Sequence, residues 1–142
     1  MVRAESLEVR AERLEIMERA EFNFGRLICY QKGRALVGEV YRLVKCFPQD
    51  EKFALGDQLR RAAVSVTSNI AEGTGRQSLK DQAHFIELSY GSLMEVMSQL
   101  DLALDLNYIN KEEHQNMERI IEENRRESFR VTAPPFSLSS KL

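Results

Sequence analysis

The side chains best placed to do chemistry in this sequence are cationic. Arg60, Arg61, Arg76 and Lys80 lie close together, in a region (22–80) with ten Lys/Arg against five Asp/Glu. Guanidinium and ammonium groups clustered this way suit phosphate oxygens. Residues 81–110 carry five Asp/Glu and no Lys/Arg. The arginines of residues 60–61 therefore have a second use. They can pair with an acidic neighbour such as Glu95, within one chain or between copies, where the pair would set geometry more than stability. The loop GTGR (73–76), with Lys80 behind it, precedes a helix start and could hold a phosphate on backbone N–H groups and Arg76. It lacks the Lys-Ser/Thr pair and preceding strand of a P-loop, and as a plain helix connection it needs only Gly73, in the left-handed position after a helix end.

Other chemistry finds no support. A di-iron bundle site needs two Glu-x-x-His motifs and two further carboxylates, and the nearest match is Asp81 three before His84. His84, His114, Cys29 and Cys46 have no zinc spacing. No nucleophile motif is present. We expect no catalytic residue, metal or cofactor, and function by binding rather than catalysis. Cys29 and Cys46, 17 residues apart on one helix, would be roughly 25 Å apart, too far for a disulfide. No 18-residue apolar run exists, and Glu5, Glu8 and Glu12 stand where a signal peptide needs apolar residues. These features predict a cytoplasmic protein with no membrane contact.

The elements that must carry these residues read as helices. Hydrophobic residues make up 43% of the 142 positions and charged residues 30%, a globular balance. Leu7, Ala11, Leu14 and Met17 recur at helical spacing, predicting a short amphipathic helix over 4–20. A helix over 23–47 is lined by Cys29, Leu36, Val40, Leu43 and Phe47, and Pro48 ends it. A second, over 53–72, has the heptad seam Leu55, Leu59, Ala62, Val66 and Asn69, with small residues at Ala62, Ala63 and Ser65 for close approach. On that seam Asn69 reads as a polar group fixing register, with Glu72 on an adjacent face beside Arg61, Ser65 and Ser68. Asn69, Glu72 and Glu95 are thus expected as structural polar residues. Ser78 caps a third helix to 106, and Asn110 with Glu113 caps a fourth over 111–129. The third helix is apolar around much of its girth, through Ile86, Leu88, Leu93, Met94, Val96, Met97, Leu100, Leu102, Ala103, Leu104 and Leu106, which suggests a second packing partner. Residues 131–142 read as a disordered tail.

The segment QLRRAAVSVTSNIAEGTGR (58–76), with FPQDEKFAL (47–55) before it and YGSLMEVMSQLDLALDLNYI (90–109) after it, resembles the 23S rRNA intervening-sequence protein family. The likeness spans about residues 22–129. It departs at Thr67, where the family usually has Pro, and leaves out residues 1–21 and the tail. The resemblance implies a four-helix bundle, with homopentamers known among members and genes that lie in insertions within 23S rRNA genes. A distantly similar bundle, the accessory protein of diversity-generating retroelements, binds nucleic acid and a reverse transcriptase.

The sequence therefore predicts an all-α, antiparallel up-down-up-down four-helix bundle over 22–130 with an extra short N-terminal helix in 1–21. A homo-oligomer binding RNA through the basic surface of its first two bundle helices is the first functional expectation. An assembly that docks a protein partner is the alternative.

Overall fold

The computed structural model describes residues 4–132, and within them every side chain except those at positions 21, 22, 24 and 132. The described residues form four helices and no strand: α1 (Leu7–Val44), α2 (Leu55–Thr74), α3 (Leu79–Asp105) and α4 (Lys111–Thr132). α2 packs on α1 and α3, and α4 packs on α3 and α1, so the helices make a closed ring of neighbours.

Side-chain contacts fix how each pair runs. An added Cβ on Gly33 would lie 3.0 Å from Thr67, and one on Gly56 would lie 2.8 Å from Val44. Ser89 of α3 donates to the Val66 carbonyl of α2 at 2.8 Å, while Gly73 sits against Phe85. His114 meets Asp101 at 2.8 Å, and Lys32 faces Glu123 at 3.8 Å. Between α1 and α2, and again between α2 and α3, the contacting positions ascend along one helix and descend along the other.

The core is what the 3.6-residue period of each helix turns inward. Leu36, Val40, Leu43 and Val44 of α1 meet Leu59, Ala63, Val66 and Ile70 of α2, Ile86, Leu93, Val96 and Leu100 of α3, and Met117 and Ile121 of α4. Burying each large apolar side chain stabilises the fold by about 1.5–3 kcal/mol. The helix starts follow their caps. Ser78 accepts from the Asp81 N–H at 3.1 Å. Asn110 and Glu113 satisfy each other's backbone N–H groups at 2.8 and 3.1 Å, the full reciprocal box. α3 ends through Asn107 at φ 61°, with the Tyr108 N–H reaching back to the Ala103 carbonyl at 2.8 Å, a Schellman closure.

Several expectations need correction. The separate helix over 4–20 is not separate. It is the first half of α1, because Gly25 alone does not interrupt helical hydrogen bonding and no Pro intervenes. Residues 7–20 are all exposed, standing beyond the end of the bundle. α1 stops at Val44 rather than running to Pro48; the chain tightens through single turns at Cys46 and Phe47, and Phe47 tucks against the Tyr108 ring at 5.6 Å. Gly73 is not a left-handed cap. It lies inside α2, buried, where its missing side chain admits α3. The inner stripe of α2 reads Gly56, Leu59, Ala63, Val66, Ile70 and Gly73, so Ile70 and not Asn69 takes the deep position. Of the segment expected as a tail, residues 131–132 are helical and 133–142 lie outside the described residues.

Candidate nucleic-acid interface

The outer face of α2 and the adjoining edge of α1 enclose a shallow groove of about 520 Å³, lined by Tyr41, Asp57, Arg60, Arg61, Val64, Ser65 and Ser68. Tyr41 and Arg60 meet there because α1 and α2 run past each other in opposite order. The Arg60 guanidinium lies 5.9 Å above the Tyr41 ring.

The two adjacent arginines have different duties. Arg60 pairs with Asp57 one turn earlier and donates to the Lys52 carbonyl at 2.8 Å. It ties the 45–54 connection to α2, and its charge is largely spent. Arg61 is exposed and has no carboxylate partner among the described residues. The pairing of Arg60 or Arg61 with Glu95 inside one chain is not formed: Arg60 is held by Asp57, and Glu95 is exposed on α3 without either arginine. Arg61 is thus the cation of the groove whose charge no neighbour cancels. Ser68 stands two turns along the same face, and Ser65 beside it shares a 2.9 Å hydrogen bond with Ser92 of α3.

Asn69 is half-buried and donates to the Ser65 carbonyl at 2.9 Å and to the Ser65 hydroxyl at 3.1 Å. The Asn69–Ser65–Ser92 chain links α2 to α3, so Asn69 is a structural polar residue acting from the flank of the interface. Glu72 pairs with Arg76 at 3.0 Å.

The GTGR loop does not offer the phosphate cradle that its composition suggests. The Gly75 and Arg76 N–H groups already donate to the Glu72 and Gly73 carbonyls, at 3.2 and 3.1 Å. Arg76 also lies 4.7 Å over the Phe85 ring, and its carbonyl accepts from Gln82 at 2.6 Å. Arg76 is a brace for the α2–α3 connection. Lys80, in the first turn of α3, is exposed without an ion pair among the described residues. Arg61 and Lys80 are therefore the two free cations of the four expected contacts.

Tyr41, like Asp57 and Val64, is a groove residue that sequence reasoning missed. It sits 19 positions before Arg60, and nothing local joins them. Among the described residues no group of three or more His, Cys, Asp and Glu is arranged to hold a metal ion. Nor is any described helix long and apolar enough to cross a membrane.

Comparison with known proteins adds two findings. The sequence profile of a family described as 23S rRNA-intervening sequence protein matches residues 25–128. The crystal structure of a protein with unknown function from the S23 ribosomal protein family of Bacteroides thetaiotaomicron is similar, with a TM-score of 0.69 and 19% identity over 75% of this chain and 99% of that one. At that identity the likeness concerns the fold. No curated protein matches the sequence. The exposed residues 7–20 of α1 precede the matched region.

Proposed function

Because the chain belongs to the 23S rRNA-intervening sequence protein family, we propose that it is a non-enzymatic up-down-up-down helical bundle that assembles with copies of itself and binds structured RNA in the cytoplasm. The contact surface is the cationic face of α1 and α2. The observation that carries this reading is Arg61: an exposed guanidinium with no carboxylate partner among the described residues, in an open groove that Tyr41 and Ser68 also line. Guanidinium groups hold phosphate oxygens in a fixed fork, and aromatic rings accept unstacked bases of RNA loops. Lys80, in the first turn of α3, supplies a second phosphate contact outside that face. The domain division that goes with this reading places RNA binding in 22–130, with residues 1–21 as an added extension. A pentamer is the assembly the family resemblance suggests.

The test is the salt dependence of binding to a structured RNA, measured by fluorescence anisotropy. Wild type should lose affinity as salt rises, and the slope should fall by about one for each of Arg61→Ala and Lys80→Ala. Arg76→Ala should leave the slope unchanged, since that cation is already paired. An affinity and slope unaltered by the double variant R61A/K80A would refute the reading.

The second reading, a structural assembly that docks a protein, has one specific support. α3 lies between α2 and α4, and they absorb most of its apolar girth: Val96 and Ala103 are buried, and Met94, Met97 and Leu104 pack against the core. Leu88, Leu102 and Leu106 stay exposed. Recovery of one defined protein by the native chain, lost on Leu88→Glu and Leu102→Glu, would favour this reading.

A further inference from the structure

A second cavity, of about 180 Å³, lies between the middle of α1 and the C-terminal end of α2. It is separate from the Arg61 groove. It meets α1 near Leu27, about 20 Å along the helix from Tyr41.

Its polar end is Arg26. One terminal nitrogen, Nη2, donates to Asn23 at 3.1 Å. The other, Nη1, is buried and has no hydrogen-bond partner among the described residues. A buried charged donor left unmade costs more than an ordinary lost hydrogen bond, so a group that accepts from it gains affinity. Among the described residues no carboxylate lines the cavity. The Thr74 hydroxyl on its rim is already committed to the Ile70 carbonyl at 3.3 Å. The remaining wall is hydrocarbon from Leu27, Ile70 and Ala71, with the Tyr30 ring beside it.

We infer that this cavity is a binding site for a small carboxylate with a short aliphatic or aromatic body, its carboxyl group on Arg26 and its hydrocarbon against Leu27, Ile70 and Ala71. The shape of the guanidinium fits a planar carboxylate, which can accept two parallel N–H groups. The recess is open at Asn23, Leu27, Ala71 and Thr74, which gives a short ligand its entry path. Inorganic phosphate is a poorer occupant. It would surrender hydration to an apolar wall for contact with a single cation.

Thermal unfolding of the full chain with hexanoate, hexanol or inorganic phosphate tests the assignment. Ligand that binds only the folded state raises the transition temperature with concentration. Hexanoate should raise it, while hexanol and phosphate should not. Arg26→Gln should abolish the response. Ala71 is exposed, so Ala71→Phe can fill the cavity from its rim without disturbing the core. That variant should keep its helix content and RNA affinity while losing the response to hexanoate. An equal response to phosphate, or a response retained in Arg26→Gln or Ala71→Phe, would overturn the inference, as would no response of the wild type to hexanoate.

Discussion

Cys29 and Cys46 show how one residue type divides by environment. Cys29 is buried on α1, and desolvation, with the Glu127 charge added to it, pushes its thiol up to about 11. Cys46 is exposed just past the helix end. A thiol reagent at neutral pH should label Cys46 in the native protein and reach Cys29 only on unfolding, because the thiolate is the reactive species. Mass spectrometry of native and urea-treated samples reads this directly. Glu122 gives a pH dependence. The hydrogen bond from Arg125, aided by the charges of Arg125 and Arg126, outweighs desolvation and holds its carboxyl at about 2, against 4.5 ordinarily. The depressed carboxyl contributes stability that is fully present above pH 4.5 and is lost as pH falls toward 2. Urea unfolding of Glu122→Gln should therefore show a variant less stable than wild type at pH 7, with the gap closing as the medium approaches pH 2. A gap that stays constant would contradict it.

At the scale of the element, glycines decide where helices touch. A methyl group at Gly56 would meet Val44 at 2.8 Å and the Glu51 carbonyl at 3.1 Å. Backbone cannot swing aside as a side-chain tip can, so Gly56→Ala should destabilise the protein by about 1–3 kcal/mol despite its better helix propensity. Chemical denaturation measures that. Deleting residues 4–20 should leave stability within about 0.5 kcal/mol, since surface changes away from the core have small effects. Much at this scale was legible in sequence. Ser78 and Asn110 announce helix starts by local hydrogen bonding, and the periodic apolar positions give four helices with boundaries close to those observed, the start of α1 excepted. The misread features are non-local. Gly73 looks like a cap until α3 is laid across it. Asn69 looks buried because a heptad counted from Leu55 drifts by about 20° per repeat from a straight helix, so after two repeats the deep position has moved to Ile70. The first half of α1 reads as a separate element because its apolar stripe is short, yet helical hydrogen bonding runs through it unbroken.

For the whole molecule, the candidate site was half visible. The cationic cluster stands in the sequence, but which cations are free depends on neighbours. Arg60 and Arg76 are taken up by Asp57, Glu72 and the Lys52 carbonyl, leaving Arg61 and Lys80. Tyr41 and the Arg26 cavity exist only because α1 lies along α2. Charge is segregated along the chain, basic over residues 22–80 and acidic over 81–110, and Glu95 is exposed and unpaired with either arginine. Opposite fields on one small bundle favour association of copies as well as attraction of RNA. The most direct measurement is light scattering coupled to size separation of protein purified without nuclease, with absorbance recorded at two ultraviolet wavelengths. The account predicts a particle several chains in mass that carries nucleic acid and releases it in high salt. A single chain free of nucleic acid at every salt concentration would contradict it.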